Sequence, residues 1–213
     1  MSGLGRFIVV EGLEGAGKST AVETIKHFLK KNVDDFITTR EPGGTVVGEA
    51  VRELIKHAPA DEPLDSRAEL LLLYASRMQL VERLIKPALN AGWWVLADRF
   101  ELSTFAYQGG GRGLDMQMIQ SLSTFCLKGF TPDLIFFMDV SPERGLSRVH
   151  QRGHADRIEQ ESIDFFNNVY DAYHATIKTM KQVVIIDANQ PLASVQQAII
   201  DALTDYLKQG MLS

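Results

Sequence analysis

The sequence predicts an α/β fold with a five-stranded parallel sheet flanked by helices, and three observations carry that expectation. Short apolar runs rich in β-branched residues alternate with helix-period segments along the chain. A glycine-rich segment, Gly12 to Ser19, joins the first apolar run to the first helical segment. No internal repeat, low-complexity stretch or linker interrupts the pattern, so residues 1–213 are expected to form a single domain.

The elements follow in order. Phe7 to Val10 is a short continuous run, the pattern of a strand buried on both faces, and a helix is expected from Lys18 to about Lys30. Phe36 to Thr39 reads as the second strand. Pro42-Gly43-Gly44 then breaks the chain, and Thr45 is placed to cap a helix reaching about His57. Ala58 to Asp65, rich in proline and acids, is a loop. Ser66 to Asn90 reads as one long helix, with Leu72, Ala75, Leu80, Leu84 and Ile85 contributing an apolar face and Gly92 beyond its end. The apolar residues from Leu70 to Leu73 exceed one stripe, so this helix is expected to be covered on more than one side, by core or by a partner subunit. Trp93 to Ala97 is the third strand. Gln108 to Gly113 holds four glycines and reads as a loop. Helices are expected over about Asp115 to Lys128, Pro142 to Gln151, Glu161 to about Met180, and Pro191 to Lys208, with strands at Leu134 to Val140 and Val183 to Ile186.

Composition narrows the class. The net charge of -5 gives no broad basic field of the kind nucleic-acid binders use, so the basic residues that matter must act locally and no nucleic-acid partner is expected. The single cysteine, Cys126, lies between Phe125 and Leu127 and reads as core filling; a chain without disulfides suits a reducing compartment. No apolar run approaches the roughly 20 residues that span a bilayer. A cytoplasmic enzyme with no membrane partner is the expectation.

Gly12-Leu13-Glu14-Gly15-Ala16-Gly17-Lys18-Ser19 matches G-x-x-x-x-G-K-[ST] at every fixed position, between a buried strand and a helix. Such a loop turns backbone N–H groups inward to cradle phosphates, with the positive end of the next helix behind them. Lys18 is expected on the β- and γ-phosphates of ATP and Ser19 on Mg²⁺. These residues predict a P-loop NTPase fold. A guanine-reading N-K-x-D and the L-S-G-G-Q signature of ABC-type ATPases are both absent, and 213 residues leave little room for a motor or helicase core. Small-molecule kinases remain.

At this point the chain resembles a family. Arg40-Glu41-Pro42-Gly43-Gly44-Thr45, Asp98-Arg99-Phe100, Tyr107 to Gly113, Pro132-Asp133-Leu134 through Asp139-Val140, and Arg157-Ile158-Glu159 are similar to motifs of bacterial thymidylate kinases, in the same order from residue 7 to about 191. The resemblance implies a nucleoside monophosphate kinase type of fold, transfer of a phosphoryl group from ATP to dTMP with Mg²⁺, and a homodimer packed through the 66–90 helix.

Arg99 leaves the C-terminal end of a strand, where ligands of open α/β sheets bind. The resemblance gives it the acceptor phosphate, with Arg40 nearby. Asp98 is expected to hold Mg²⁺, directly or through water, or to orient Arg99, while Asp139 reads as structural. Glu14 is an odd residue within an anion cradle and is expected to face away from the triphosphate; by resemblance it meets the acceptor sugar. Arg148 and Arg152 lie four apart on one helix face, Gly153 follows, and the stretch from about 148 to 160 resembles the family's lid. No arginine stands in the phosphate loop, which is similar to members that place catalytic arginines in the lid, here Arg152 and Arg157. His154 is given no catalytic role. For the base, the resemblance implies Arg77 on the thymine edge, Thr104 as a second bond, and Tyr107 by the sugar, with Gln108 also among the substrate-binding residues. Leu73 stands where the family often has a stacking phenylalanine. Asp187 to Pro191 resembles the adenine-side loop. A kinase for another nucleoside monophosphate or a deoxynucleoside is the alternative among enzymes; a nucleotide-binding switch is the alternative outside them.

Overall fold

The computed structural model describes residues 5–59, 61–153 and 156–210, apart from the side chains of Arg152 and Gln209. Five strands, β1 (Phe7–Gly12), β2 (Phe36–Arg40), β3 (Trp94–Asp98), β4 (Leu134–Asp139) and β5 (Val183–Asp187), form one parallel sheet in the order β2-β3-β1-β4-β5. The fold class is as the sequence predicts. β1 and β4, at the centre, are almost wholly buried, which is why they read as unbroken apolar runs rather than alternating ones.

The helices are α1 (Lys18–Asn32), α2 (Val46–Lys56), α3 (Ser66–Leu80), α4 (Lys86–Asn90), α5 (Glu101–Thr104), α6 (Met116–Leu127), α7 (Pro142–Arg152), α8 (Ile163–Ile177) and α9 (Leu192–Gly210). Thr45 caps α2 as expected, its side chain accepting from the Gly48 N–H at 3.0 Å. The long 66–90 helix is present, with a π-helical stretch, Val81–Ile85, joining α3 to α4. Ala75 is exposed rather than part of its apolar face, whereas Tyr74 and Arg77 are buried. α3 packs on α6 through Leu70, Tyr74 and Ile119. Leu71 and Met78 on α3, and Met118 and Phe125 on α6, remain exposed, each pair seven residues apart on its own helix.

One expectation fails. The glycine-rich stretch is not a loop: α5 continues into a π-helical segment, Phe105–Gly111. Its glycines serve contact. A Cβ at Gly110 would stand 2.6 Å from the Asn168 carbonyl oxygen, and one at Gly111 would stand 2.4 Å from the Phe165 ring. The segment therefore lies directly against α8, closer than side chains would allow, and this brings Tyr107 beside Tyr173 of α8 at the carboxyl edge of the sheet, with ring centroids 6.1 Å apart.

Candidate active site

The carboxyl ends of β1, β2 and β3 converge. Val10 is level with Asp98, and Asp98 with Arg40, while the Arg99 N–H donates to the Val10 carbonyl at 2.9 Å. The turns after these strands carry the phosphate loop, Glu41, and Arg99. They open onto one cavity of about 530 Å³ that runs from Lys18, Ser19 and Arg148 to Leu73 and Arg77. This is where the topology of an open α/β sheet places a ligand.

At one end of the cavity the phosphate loop rests against α7. Gly15 has a positive φ of 71°, and a Cβ there would lie 2.1 Å from the Gly145 carbonyl oxygen. No side chain fits at position 15 while α7 stays in place, a physical reason why this loop carries no arginine. Arg148 reinforces the contact from α7, donating to the carbonyls of Gly15 at 3.1 Å and Ala188 at 3.0 Å, so it ties the phosphate loop to the turn after β5. There Asn189 donates from its N–H to Asp187 Oδ1 at 2.9 Å. Lys18 Nζ donates to the carbonyls of Gly12 at 3.1 Å and Leu13 at 2.6 Å. Burial, reinforced by the Arg99 charge, brings the Lys18 ammonium down to about 8. Gly12, Leu13, Ala16, Gly17 and Ser19 shape the rest of the turn into α1.

In the middle stands Arg99, whose left-handed backbone, φ 69°, is unusual for a side-chain-bearing residue. Its Nη1 donates to the Gly12 carbonyl (2.9 Å), Ser103 Oγ (3.1 Å) and the Tyr173 hydroxyl (3.2 Å). Its Nη2 donates to Glu14 Oε1 (2.7 Å) and the Tyr107 hydroxyl (3.2 Å). Glu14 thus turns toward Arg99, and its other oxygen accepts from the Tyr107 hydroxyl. Asp98 does not orient Arg99 by hydrogen bonding: its Oδ1 is buried without a hydrogen-bond partner, at the wall of the cavity.

The far end is a buried polar pocket. Arg77 is 2% exposed; its Nε donates to Glu41 Oε2 at 2.7 Å and its Nη2 to Thr104 Oγ1 at 2.9 Å. The guanidinium lies over the rings of Tyr74 and Phe100. Arg77 Nη1 and Glu41 Oε1 are buried without partners. Burial pushes the Glu41 carboxyl up to about 7, against the pull of Arg77. Leu73 and Thr104 line the same pocket.

Several expected residues stand elsewhere than anticipated. Arg40 is half-exposed and paired with Glu49 at 2.8 Å, outside the cavity wall; Arg52 of α2, which the sequence did not single out, lines the wall instead and donates to the Pro42 carbonyl at 3.1 Å. Gln108 lines the cavity but gives its amide to Glu69 Oε1 at 2.8 Å. Arg157 is not at the phosphate loop: it pairs with the buried Glu69 and donates to the Ile55 carbonyl at 2.8 Å, while its neighbour Asp156 pairs with Lys56 at 2.9 Å. Asp156 and Arg157 thereby fasten the far part of the 148–160 segment to α2 and α3, while Arg148 holds its start at the phosphate loop. The Arg152 side chain and His154 lie outside the described residues. Asp139 accepts from the half-buried His174 at 3.2 Å, a structural role.

Sequence reasoning missed Glu11 and Glu69, both fully buried carboxylates. Glu11 had a visible signal, an acid inside the apolar β1 run. Glu69 had none, since an acid near a helix start is ordinarily a solvated residue.

The thymidylate kinase family model matches residues 10–199 of the chain. A thymidylate kinase of Legionella pneumophila (strain Corby) is 54% identical over 207 residues, 97% of this chain and 98% of the relative. Those of Shewanella sp. (strain MR-4) and Blochmanniella pennsylvanica (strain BPEN) are 49% and 47% identical, covering 93% and 91% of this chain and 95% and 92% of theirs. The match spans most of the chain, and the phosphate loop, Arg99 and Arg77 that it includes line one cavity: the chain belongs to the thymidylate kinase family.

Proposed function

We propose that the protein is an ATP-dependent nucleoside monophosphate kinase that phosphorylates dTMP to dTDP, a step toward dTTP. The observation that carries this reading is the buried, unpartnered Nη1 of Arg77 at the far end of the cavity that begins at the phosphate loop. A buried donor without a partner is costly unless a ligand completes it. The 4-carbonyl of thymine accepts from such a donor; the 4-amino group of cytosine would oppose it. Leu73 covers the ring by apolar contact, and Thr104 stands beside Arg77 for a second bond.

Phosphoryl transfer needs alignment and positive charge more than covalent help. Lys18 and the loop amides hold the donor phosphates, and Arg99 grips the acceptor phosphate with its planar fork. Glu14 and Tyr107 meet the acceptor sugar. Arg148 steadies the donor side, while Arg152 and Arg157 belong to the lid; Arg157 serves the transferring group only after leaving Glu69. Asp98 Oδ1, a buried unpartnered oxygen, and Ser19 on the same wall suit Mg²⁺, a hard cation that takes few protein oxygens beside phosphates. When bound, that ion would neutralise charge on the transferring phosphate.

Coupled ADP detection with dTMP, dCMP, UMP and thymidine as acceptors tests the reading: dTMP should lead by more than about tenfold in kcat/KM. Parity with dCMP or thymidine would sink it. The exposed Leu71, Met78, Met118 and Phe125 support a homodimer through α3 and α6, in the 66–90 region. Sedimentation at micromolar concentration should show twice the chain mass, and Leu71→Asp should halve it. A cytoplasmic location fits a chain whose one cysteine is free and in which no described helix is long and apolar enough to cross a membrane.

A further inference from the structure

We infer that Glu11 is a positioning residue for the acceptor phosphate, acting through the hydroxyls of Ser103 and Tyr173 on Arg99. The inference rests on the reading of Arg99 as the acceptor-phosphate ligand.

Glu11 lies near the end of the central strand β1 and is fully buried. A charge there is unfavourable unless every lone pair is used, and here they are. Oε1 accepts from the backbone N–H groups of Phe100 (2.9 Å) and Ser103 (3.3 Å). Oε2 accepts from Ser103 Oγ (2.6 Å) and the Tyr173 hydroxyl (3.0 Å). Each of these neighbours has a proton to give, so the ionised carboxylate satisfies all of them; a protonated acid would set its own proton against a donor.

The consequence falls on Arg99. Each hydroxyl has one proton. Ser103 gives its proton to Oε2, and Tyr173 shares its own between Oε2 and Ser103 Oγ, 2.8 Å away, so both hydroxyls turn lone pairs to Arg99 Nη1, at 3.1 and 3.2 Å. The other arm of Glu11 holds the two amides that follow the left-handed turn at Arg99. One carboxylate therefore fixes both the backbone turn that launches the guanidinium and the acceptors that aim it. Tyr173 comes from α8, so the aim is also tied to the helix against which Tyr107 packs.

Glu11→Gln tests this with almost no change in volume. The amide oxygen keeps the backbone arm. The amide nitrogen, at the Oε2 position, donates to both hydroxyls; one of their protons can pass to the other hydroxyl across the 2.8 Å contact, and the remaining one is turned toward Arg99, donor against donor. Steady-state kinetics should show kcat down by about a hundredfold and KM for dTMP up by about tenfold, with KM for ATP within about twofold. Tyr173→Phe alone should raise KM for dTMP by about threefold or more. In a Ser103→Ala/Tyr173→Phe background no hydroxyl remains to be reversed, so adding Glu11→Gln should cost less than about threefold in kcat/KM for dTMP. A plain structural role gives the opposite result, the same loss in both backgrounds, tracking the fall in Tm. That additivity, or unaltered dTMP kinetics in Glu11→Gln, overturns the inference. If Glu11→Gln does not fold, unchanged KM for dTMP in both Tyr173→Phe and Ser103→Ala overturns it equally. Arg99→Ala is the control for the underlying reading: if it leaves dTMP kinetics intact, the role of Arg99 falls, whatever Glu11 does.

Discussion

The two ends of the cavity are built on different physical plans. The donor end is contiguous and made mostly of backbone: residues 12–19 form it, and glycine-to-glycine contact with α7 holds it in place. The acceptor end is assembled from side chains on strands, helices and the 156–160 turn, and its arginines sit against carboxylates, Arg99 on the partly buried Glu14, Arg77 on the buried Glu41 and Arg157 on the buried Glu69. Backbone donors read any triphosphate. A preset array of buried charges can refuse a wrong acceptor, but only because each charge is unfavourable when left alone. The donor end is thus tolerant and the acceptor end brittle, and that contrast can be broken by experiment.

The largest effect is expected from Arg77→Ala. It leaves Glu41 buried without its partner, which costs about 3–5 kcal/mol of stability, and it removes the base-facing donor, so KM for dTMP should rise by more than about tenfold. The loss should depend on pH. The folded-state Glu41 carboxyl already lies at about 7, above its ordinary 4.5, and without Arg77 it moves higher. A carboxyl raised by folding stabilises the protein at low pH and loses that contribution as pH rises through the folded value. Urea unfolding should therefore show a smaller penalty at about pH 5 than at about pH 8. An equal penalty at both would mean that Glu41 stays ionised throughout.

The same contrast explains what was legible in the sequence. The donor end was, because its residues are adjacent and its loop lies between a strand and a helix. The strands and the Thr45 cap were legible for the same reason, since their signals are local. The Phe105–Gly111 helix was not: glycine usually means a turn, and here it means contact with α8, which lies more than 50 residues away in the chain. Arg40 and Arg52 could not be told apart either. Both are cations near a glycine-rich break, and only the packing of α2 turns Arg52 to the cavity wall and leaves Arg40 with Glu49. Arg157 read as a lid cation because the acid that holds it, Glu69, is 88 positions away.

A middling effect should come from Gly145→Ala, which touches neither substrate. Its Cβ would lie 2.5 Å from the Glu14 carbonyl oxygen, with little else nearby to resist it. The phosphate loop must give way, at a cost of about 1–3 kcal/mol. If the donor end depends on this contact, KM for ATP should rise by about tenfold while KM for dTMP moves less. Equal changes in both constants would show that the two ends share one rigid frame and that the contrast drawn above is too sharp.

The smallest effect concerns Lys18, a charged side chain of the backbone-built end. Lys18 donates to the loop carbonyls of Gly12 and Leu13, and its burial, with the Arg99 charge nearby, brings it down to about 8. Phosphates placed against it favour the ammonium and raise that value. Below about pH 7 the lysine is charged before and after ATP binds, and affinity should not vary on its account. Above 8 the free protein has lost the proton that the complex needs. Binding must then take one up, and ATP affinity should fall by at most about tenfold per pH unit until the value in the complex is reached. Calorimetry at about pH 9 in two buffers of different ionisation enthalpy reads this directly, because ATP itself carries no titrating group near that pH. An observed enthalpy that is the same in both buffers would mean that Lys18 stays charged in the free protein, burial and the Arg99 charge together being too weak to discharge it.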